Sequence, residues 1–192
     1  MNGDLRVWVL VLLLFCAGAV RATEPPQRVV SLNLCTDQIL LALLPRERIA
    51  MLSQLAADRT LSWAAARAGG IARFDGSVER IVQLDPDLVL TGTQASLSSA
   101  AVLKRLGYRV ETVAMPETIA ASLAFIEHTA ALLGEAAAGA ALSRDTARRL
   151  DAVRSAMAGR PRELGLIYLP NGLSPGAGTL KDELLEIGRA HV

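Results

Sequence analysis

From residue 28 onward the chain alternates between two hydrophobic rhythms, and their order is the first guide to its fold. Residues 28–32 (Arg-Val-Val-Ser-Leu) form a β-branched apolar run that fits a buried strand. Residues 35–44 then carry apolar side chains at helical spacing. Asn33 or Thr36 serves as cap, Asp37 suits the first turn, and Pro45 stops the helix. A second short strand is expected at 49–52, a loop at 53–60, and a short helix at 61–68 ended by Gly69 and Gly70. Ser77 caps a helix at 78–84, where Val78, Ile81 and Val82 share one face, and Pro86 stops it before a strand at 88–90. The spacing then predicts a helix at 96–106, a left-handed stop at Gly107, and a strand at 108–113. Strand and helix in succession imply right-handed crossovers and a parallel sheet.

After residue 118 the rhythm changes. Ile119, Leu123, Ile126 and Leu133 recur at helical spacing as far as Gly134. A second helix, rich in Ala and Arg, is expected at 135–157, with Leu142, Leu150 and Val153 along one side. No strand separates the two. At about 1.5 Å per residue the second is long enough to cross a small domain. Arg160 and Pro161 end it, after which 164–169 reads as a strand, 170–172 as a turn, 174–178 as a Gly-rich loop, and Thr179 opens a last helix. The fold class expected is α/β: a parallel-sheet N-terminal lobe, a long interdomain helix, and the first βα unit of a largely missing second lobe.

The two ends call for separate readings. Arg6 precedes an unbroken apolar stretch at 7–20, and Val20-Arg-Ala22 is a small-residue exit. This is short for a membrane span and fits a secretory leader cleaved after Ala22. Phe15 before Cys16 is too bulky for lipid attachment. At the other end, residues 187–192 match the translation of a sequencing-adapter stem, and we expect them to be an artefact of a truncated reading frame. The expected division is therefore a leader at 1–22, a ligand-binding lobe at 23–117, a helical connection at 118–160, the start of a second lobe at 161–186, and the artefact.

Composition narrows the class. The chain is 52% hydrophobic and 4% aromatic over 192 residues, enough for one full core but not for two ordinary domains. It carries 20 Lys and Arg against 19 Asp and Glu; without Arg6, Arg21 and Asp4 of the leader, each count is 18. A neutral, mixed surface offers no basic stripe for nucleic acid or anionic membrane. Once the leader is removed Cys35 has no disulfide partner, so the exported protein, expected to be a monomer without a cofactor, depends on its core.

Three stretches carry a family resemblance: Val29-Val-Ser-Leu-Asn-Leu-Cys-Thr-Asp37; Glu79-Arg-Ile81 with Leu84-Asp-Pro-Asp-Leu-Val-Leu90; and Gly176-Ala-Gly-Thr-Leu180 with Asp182-Glu-Leu-Leu185. In this order, behind an export leader and around a long helix, they resemble the periplasmic binding proteins of ABC importers for iron chelates and cobalamin. The resemblance implies two α/β lobes joined by a rigid helix, a periplasmic location, an ABC permease as partner, and no enzymatic activity. It also implies that Glu79 docks into arginine pockets of the permease. The plainer reading of Glu79 is a solvated residue favourable to its helix dipole.

In an open α/β sheet, ligands bind beyond the carboxyl ends of the strands. The turns there are 33–36, 53–55, 73–75, 91–94 and 115–116. They supply Asn33, Cys35, Thr36, Gln54, Leu55, Thr93, Gln94 and Met115 as candidate contacts, with Trp63 and Phe74 as flat rings suited to a planar chelate or macrocycle. The competing readings are ordinary: Asn33 and Thr36 as caps, Thr93 and Gln94 as solvated loop, Cys35 as small filler, Trp63 as core. Cobalamin binders of the family often place an aromatic ring where Gly92 stands, so the expected cargo is an iron–siderophore or related metal chelate, with cobalamin as the alternative. A bare zinc or manganese site would need clustered His and carboxylates, and His128 stands alone on its helix. An exported enzyme using Cys35 or Asp37 is the competing class, but no His lies near in sequence to act as base. Residues 176–178 lack the third glycine and the acid of a dinucleotide site.

Overall fold

The computed structural model describes residues 24–93 and 97–191; the expected leader and Gln94 lie outside them. Among the described residues, seven short strands and six α-helices follow one another. β1 is Val29–Ser31, α1 Leu34–Leu43, β2 Ile49–Leu52, β3 Ala72–Arg73, α2 Val78–Leu84, β4 Leu88–Gly92, α3 Leu97–Arg105 and β5 Val110–Val113. Then come α4 (Ile119–Leu132), α5 (Ala136–Met157), β6 (Glu163–Leu164), α6 (Leu180–Ile187) and β7 (Ala190–His191). The first five strands form one sheet in the order β3-β2-β1-β4-β5, and every pairing is parallel. Among the described residues, no strand falls within 118–158, and no helix is long and apolar enough to cross a membrane.

The period-two alternation of the central strands decides what covers them. Val29, Leu88 and Leu90 point to one face and pack with Ile39, Leu40 and Leu44 of the α1 segment and with Leu133, Phe125 and Ile126 from the α4 region. Val30 and Val89 point to the other and pack with Ile81 of α2 and with Ala100 and Leu103 of α3. Val29, Val30, Leu88, Val89 and Leu90 are all at 0% exposure, as expected of parallel strands covered on both faces. Register follows: Val29 pairs with Leu88, Val30 with Val89 and Ser31 with Leu90.

Side-chain caps set the helix starts. Asn33 Oδ1 accepts from the Cys35 N–H, Ser77 from Arg80, Thr118 from Ala121 and Thr179 from Asp182. Asn33, not Thr36, is the α1 cap. Gly107 takes the left-handed conformation (φ 89°) that ends the α3 segment as expected.

Two sequence expectations are corrected. The segment expected as a helix at 61–68 is an irregular connection closed by a short 3₁₀ turn, Ala65–Ala68. So few residues before Gly69 and Gly70 cannot repay helix nucleation. The chain beyond them forms β3, a strand the sequence reading omitted because two residues carry no periodicity. The strand expected at 164–169 is only Glu163–Leu164, since its sole ladder partner is the two-residue β7. Leu166 and Tyr168 beyond it are exposed.

The helical connection is held tightly. A Cβ on Gly139 of α5 would stand 2.1 Å from the Ala130 Cβ of α4, so the two helices cross at a separation only glycine permits. At 22 residues α5 is about 33 Å long, and its C-terminal half is mostly exposed. Arg48, at the amino end of β2, ties this connection to the sheet. Its guanidinium donates to Glu135 Oε1 (2.6 Å), the Leu133 carbonyl (2.6 Å) and the Pro26 carbonyl (2.9 Å). Both ends of the ion pair are largely shielded, at 13% and 29% side-chain exposure. Arg48→Ala strips a charged donor from three acceptors and is expected to cost about 2 kcal/mol of stability, measured by urea unfolding. A change within about 0.3 kcal/mol would show that the clamp contributes no more than an exposed pair.

Candidate functional site: a crevice at the carboxyl edge of the sheet

Because all five strands of the main sheet run the same way, their carboxyl ends emerge along one edge. There they enclose a cavity of about 520 Å³, in the range of small-molecule sites. Its walls are Leu32, Asn33, Leu34 and Cys35 after β1; Ser53, Gln54 and Leu55 after β2; Phe74, Asp75 and Gly76 after β3; and Met115 after β5. A larger groove of about 670 Å³ lies among α4, α5 and α6, bordered by Ile119, Leu123, Arg154, Glu183 and Arg189. None of its lining residues stands at a strand end of the main sheet, so the topology favours the crevice.

Of the residues singled out from sequence, Asn33, Cys35, Gln54, Leu55, Phe74 and Met115 line this cavity together. Thr36 does not. It is fully buried beneath the turn, where its hydroxyl donates to the Asn33 carbonyl (2.9 Å) and pairs with the Ser31 hydroxyl (2.7 Å). Thr93 is exposed at the end of β4 and outside the lining. Trp63 is neither core nor lining: it is 74% exposed on the β2–β3 connection, with the Arg67 guanidinium 5.8 Å from its ring centre. Glu79 sits outside the cavity on the exposed first turn of α2, three residues past Gly76. Its carboxyl is held below the usual range by its own backbone N–H and by the Ser77 hydroxyl.

Asn33 is the hub. Its Oδ1 accepts from Cys35 N–H at 2.8 Å while its Nδ2 donates to Met115 Sδ at 3.5 Å, so one amide links the β1 and β5 turns. Gly92 makes room for it, since a Cβ there would fall 2.5 Å from Asn33 Nδ2. A ring at position 92 would have to displace this amide.

Beneath the cavity floor lies Asp37, at 0% exposure. Its two oxygens accept from the Ser53 N–H (3.1 Å) and the Ser53 hydroxyl (2.5 Å), fixing the turn that presents Ser53, Gln54 and Leu55. Burial pushes its carboxyl upward, against the lowering effect of the hydroxyl and backbone donors. From sequence Asp37 stands in the first turn of α1 or, in the competing enzyme class, as a catalytic candidate, because nothing local shows that β2 will bring Ser53 beside it. Leu32 and Gly76 were likewise missed. Burial and the nearby Asp37 charge push the Cys35 thiol up, the reverse of what activates a nucleophile. Among the described residues no group of three or more His, Cys, Asp or Glu could hold a metal ion.

With this geometry in place, the chain can be compared with known proteins. It belongs to the periplasmic binding protein family, whose model matches residues 29–190. No curated protein matches it by sequence. Among solved structures it is similar to a possible iron-binding, periplasmic solute-binding protein from Staphylococcus epidermidis, with 20% identity and a TM-score of 0.73, covering 88% of this chain and 67% of that one. A periplasmic heme-binding protein, BhuT, in complex with two hemes gives 26% identity and a TM-score of 0.65, covering 85% and 66%. The periplasmic vitamin B12-binding protein BtuF of Vibrio cholerae gives 17% and 0.64, covering 86% and 65%. The chain thus spans about two thirds of the length of each of these structures.

Asp37 provides a test of how the crevice is built. Asp37→Asn keeps an acceptor for Ser53 and removes a desolvated charge, so its stability at neutral pH should equal or exceed that of the parent. Asp37→Leu strands the Ser53 donors and should cost about 1–3 kcal/mol. A folded carboxyl titrating above its unfolded value binds protons that the unfolded chain has released. Parent stability relative to Asp37→Asn should therefore fall as pH rises above the ordinary carboxylate range, and level off once the folded carboxyl is ionised. Unfolding curves across pH check this, and a rising difference would contradict the burial argument.

Proposed function

We propose that the chain is the exported, periplasmic substrate-binding component of an ABC importer, and that its crevice receives one face of a metal chelate. The carrying observation is the character of the crevice itself. Leu32, Leu34, Leu55, Phe74 and Met115 give it an apolar floor, and its only charged lining residue among those described, Asp75, is paired with Arg80 at 2.6 Å. Such a surface suits a broad ligand with an apolar body. Within the chelate class this favours a planar iron porphyrin over the more polar iron–siderophore expected from sequence, and the 26%-identical relative described as heme-binding supports the same choice. Cobalamin is less favoured because Gly92 leaves no aromatic wall at the end of β4.

Glu79 supplies the contact to the permease. It is ionised, exposed and set on a capped helix just outside the crevice wall, where a carboxylate–arginine contact can orient docking without touching the ligand. In cells carrying the importer, Glu79→Arg should abolish most uptake while changing chelate affinity less than about twofold. Equal losses of both would move Glu79 into the binding site. Titration of the chain with ferric heme, a ferric siderophore and cobalamin, followed by quenching of its tryptophan fluorescence, tests the cargo. Heme should bind tightest, and a preference for either of the others would overturn the porphyrin reading.

A further inference from the structure

Two sulfur-bearing side chains border one cavity, and a single amide joins their turns. Asn33 accepts from the backbone of Cys35 and donates to the thioether of Met115, so both residues are held around the same point of the crevice. No His or Tyr lines the cavity among the described residues, and residues 94–96 are Gln, Ala and Ser. Tyr108 is half-buried against the core just before the amino end of β5, and Tyr168 lies beyond α5 in the chain. His128 stands on α4 in a separate groove, which Met115 also borders.

Resting on the porphyrin reading above, we infer that the Met115 thioether is the atom of this lobe that binds the iron of the captured chelate. Thioether sulfur is an established axial donor to heme iron. The Asn33 amide occupies one of its lone pairs, leaving the second available. Met115 borders the cavity and its side chain is 43% exposed, so it is not sealed in the core. The step is simple in its balance: the sulfur lone pair forms a dative bond to the axial position, and the water held there leaves. No proton is released and no oxidation state changes.

Cys35 is the obvious competitor, and its surroundings argue against it. Ligation by a cysteine uses the thiolate. Burial first, and the Asp37 carboxylate second, push this thiol above its ordinary value and disfavour the thiolate. A thioether has no proton to lose, so Met115 can ligate at any physiological pH.

The test compares ferric heme with metal-free protoporphyrin, which has the same body and no iron. The parent chain should bind heme more tightly than protoporphyrin and show the thioether-to-iron charge-transfer band. Met115→Leu, close in volume and without sulfur, should lose that band and at least about tenfold in heme affinity, with protoporphyrin affinity unchanged. Cys35→Ser, which alters the cavity wall, should keep the band, and His128→Ala should behave as the parent. Equal binding of heme and protoporphyrin by the parent would overturn the ligation while leaving the porphyrin reading intact. Loss of the band in Cys35→Ser or His128→Ala, but not in Met115→Leu, would reassign the ligand. Binding of neither porphyrin would overturn the cargo reading itself, and this inference with it.

Discussion

The parallel ladder between β1 and β4 is the constraint from which the rest of the structure follows. Two adjacent parallel strands cannot be joined by a hairpin, so each connection must cross over a face of the sheet. Those crossovers bring α1 to one side and α2 and α3 to the other, and the α4 region after β5 packs on the α1 side, so that Val29, Val30, Leu88, Val89 and Leu90 are completely buried. The same parallel order gathers the strand ends at a single edge. A crevice there is a geometric consequence of the ladder, before any residue in it is chosen for chemistry.

What the ladder leaves open, a few side-chain-to-backbone bonds decide. Asp37 grips Ser53 from below, and Asn33 spans from the start of α1 to Met115. Each holds a turn in place, and the Asp37 bonds also satisfy Ser53 donors that would otherwise be buried without partners. Desolvating Asp37 opposes stability, and the compensation is a turn held by both a backbone and a hydroxyl donor. At the opposite end of β2, Arg48 does the same for the helical connection with three acceptors. The sheet is therefore anchored at both edges.

The sequence carried the long-range plan better than the local detail. Alternating strand and helix periods were enough to predict the parallel lobe, and the strand-free interval of α4 and α5 was visible in the spacing of Ile119, Leu123, Ile126 and Leu133. Six of the ten proposed ligand contacts line the cavity because strand ends in such a sheet converge whatever the side chains are. The misses share a cause. Thr36 and Asp37 were assigned by their places in a helix start, while their roles depend on Ser31 and Ser53, brought close only by the sheet register. Trp63 was weighed as core or crevice because a large ring is usually buried, but its connection is short and irregular and leaves it outside. The two-residue β3 had no periodic signal at all.

An apolar floor in a surface crevice has a thermodynamic implication of its own. Small-molecule sites gain affinity by withdrawing most of a ligand's surface from water, and a wall made only from the ends of one sheet contacts one ligand face. For a planar chelate the unmet face is as apolar as the met one. Tight capture therefore calls for a second wall, or for a directional bond that compensates for the missing area. Asn33 bears on the second solution, because it fixes a thioether, a group able to donate to a metal, at the crevice wall. Gly92 is part of that arrangement, because any side chain at the end of β4 would push the amide away from the sulfur it holds. The aromatic wall missing at this position and the sulfur held beside it are thus two consequences of one small residue.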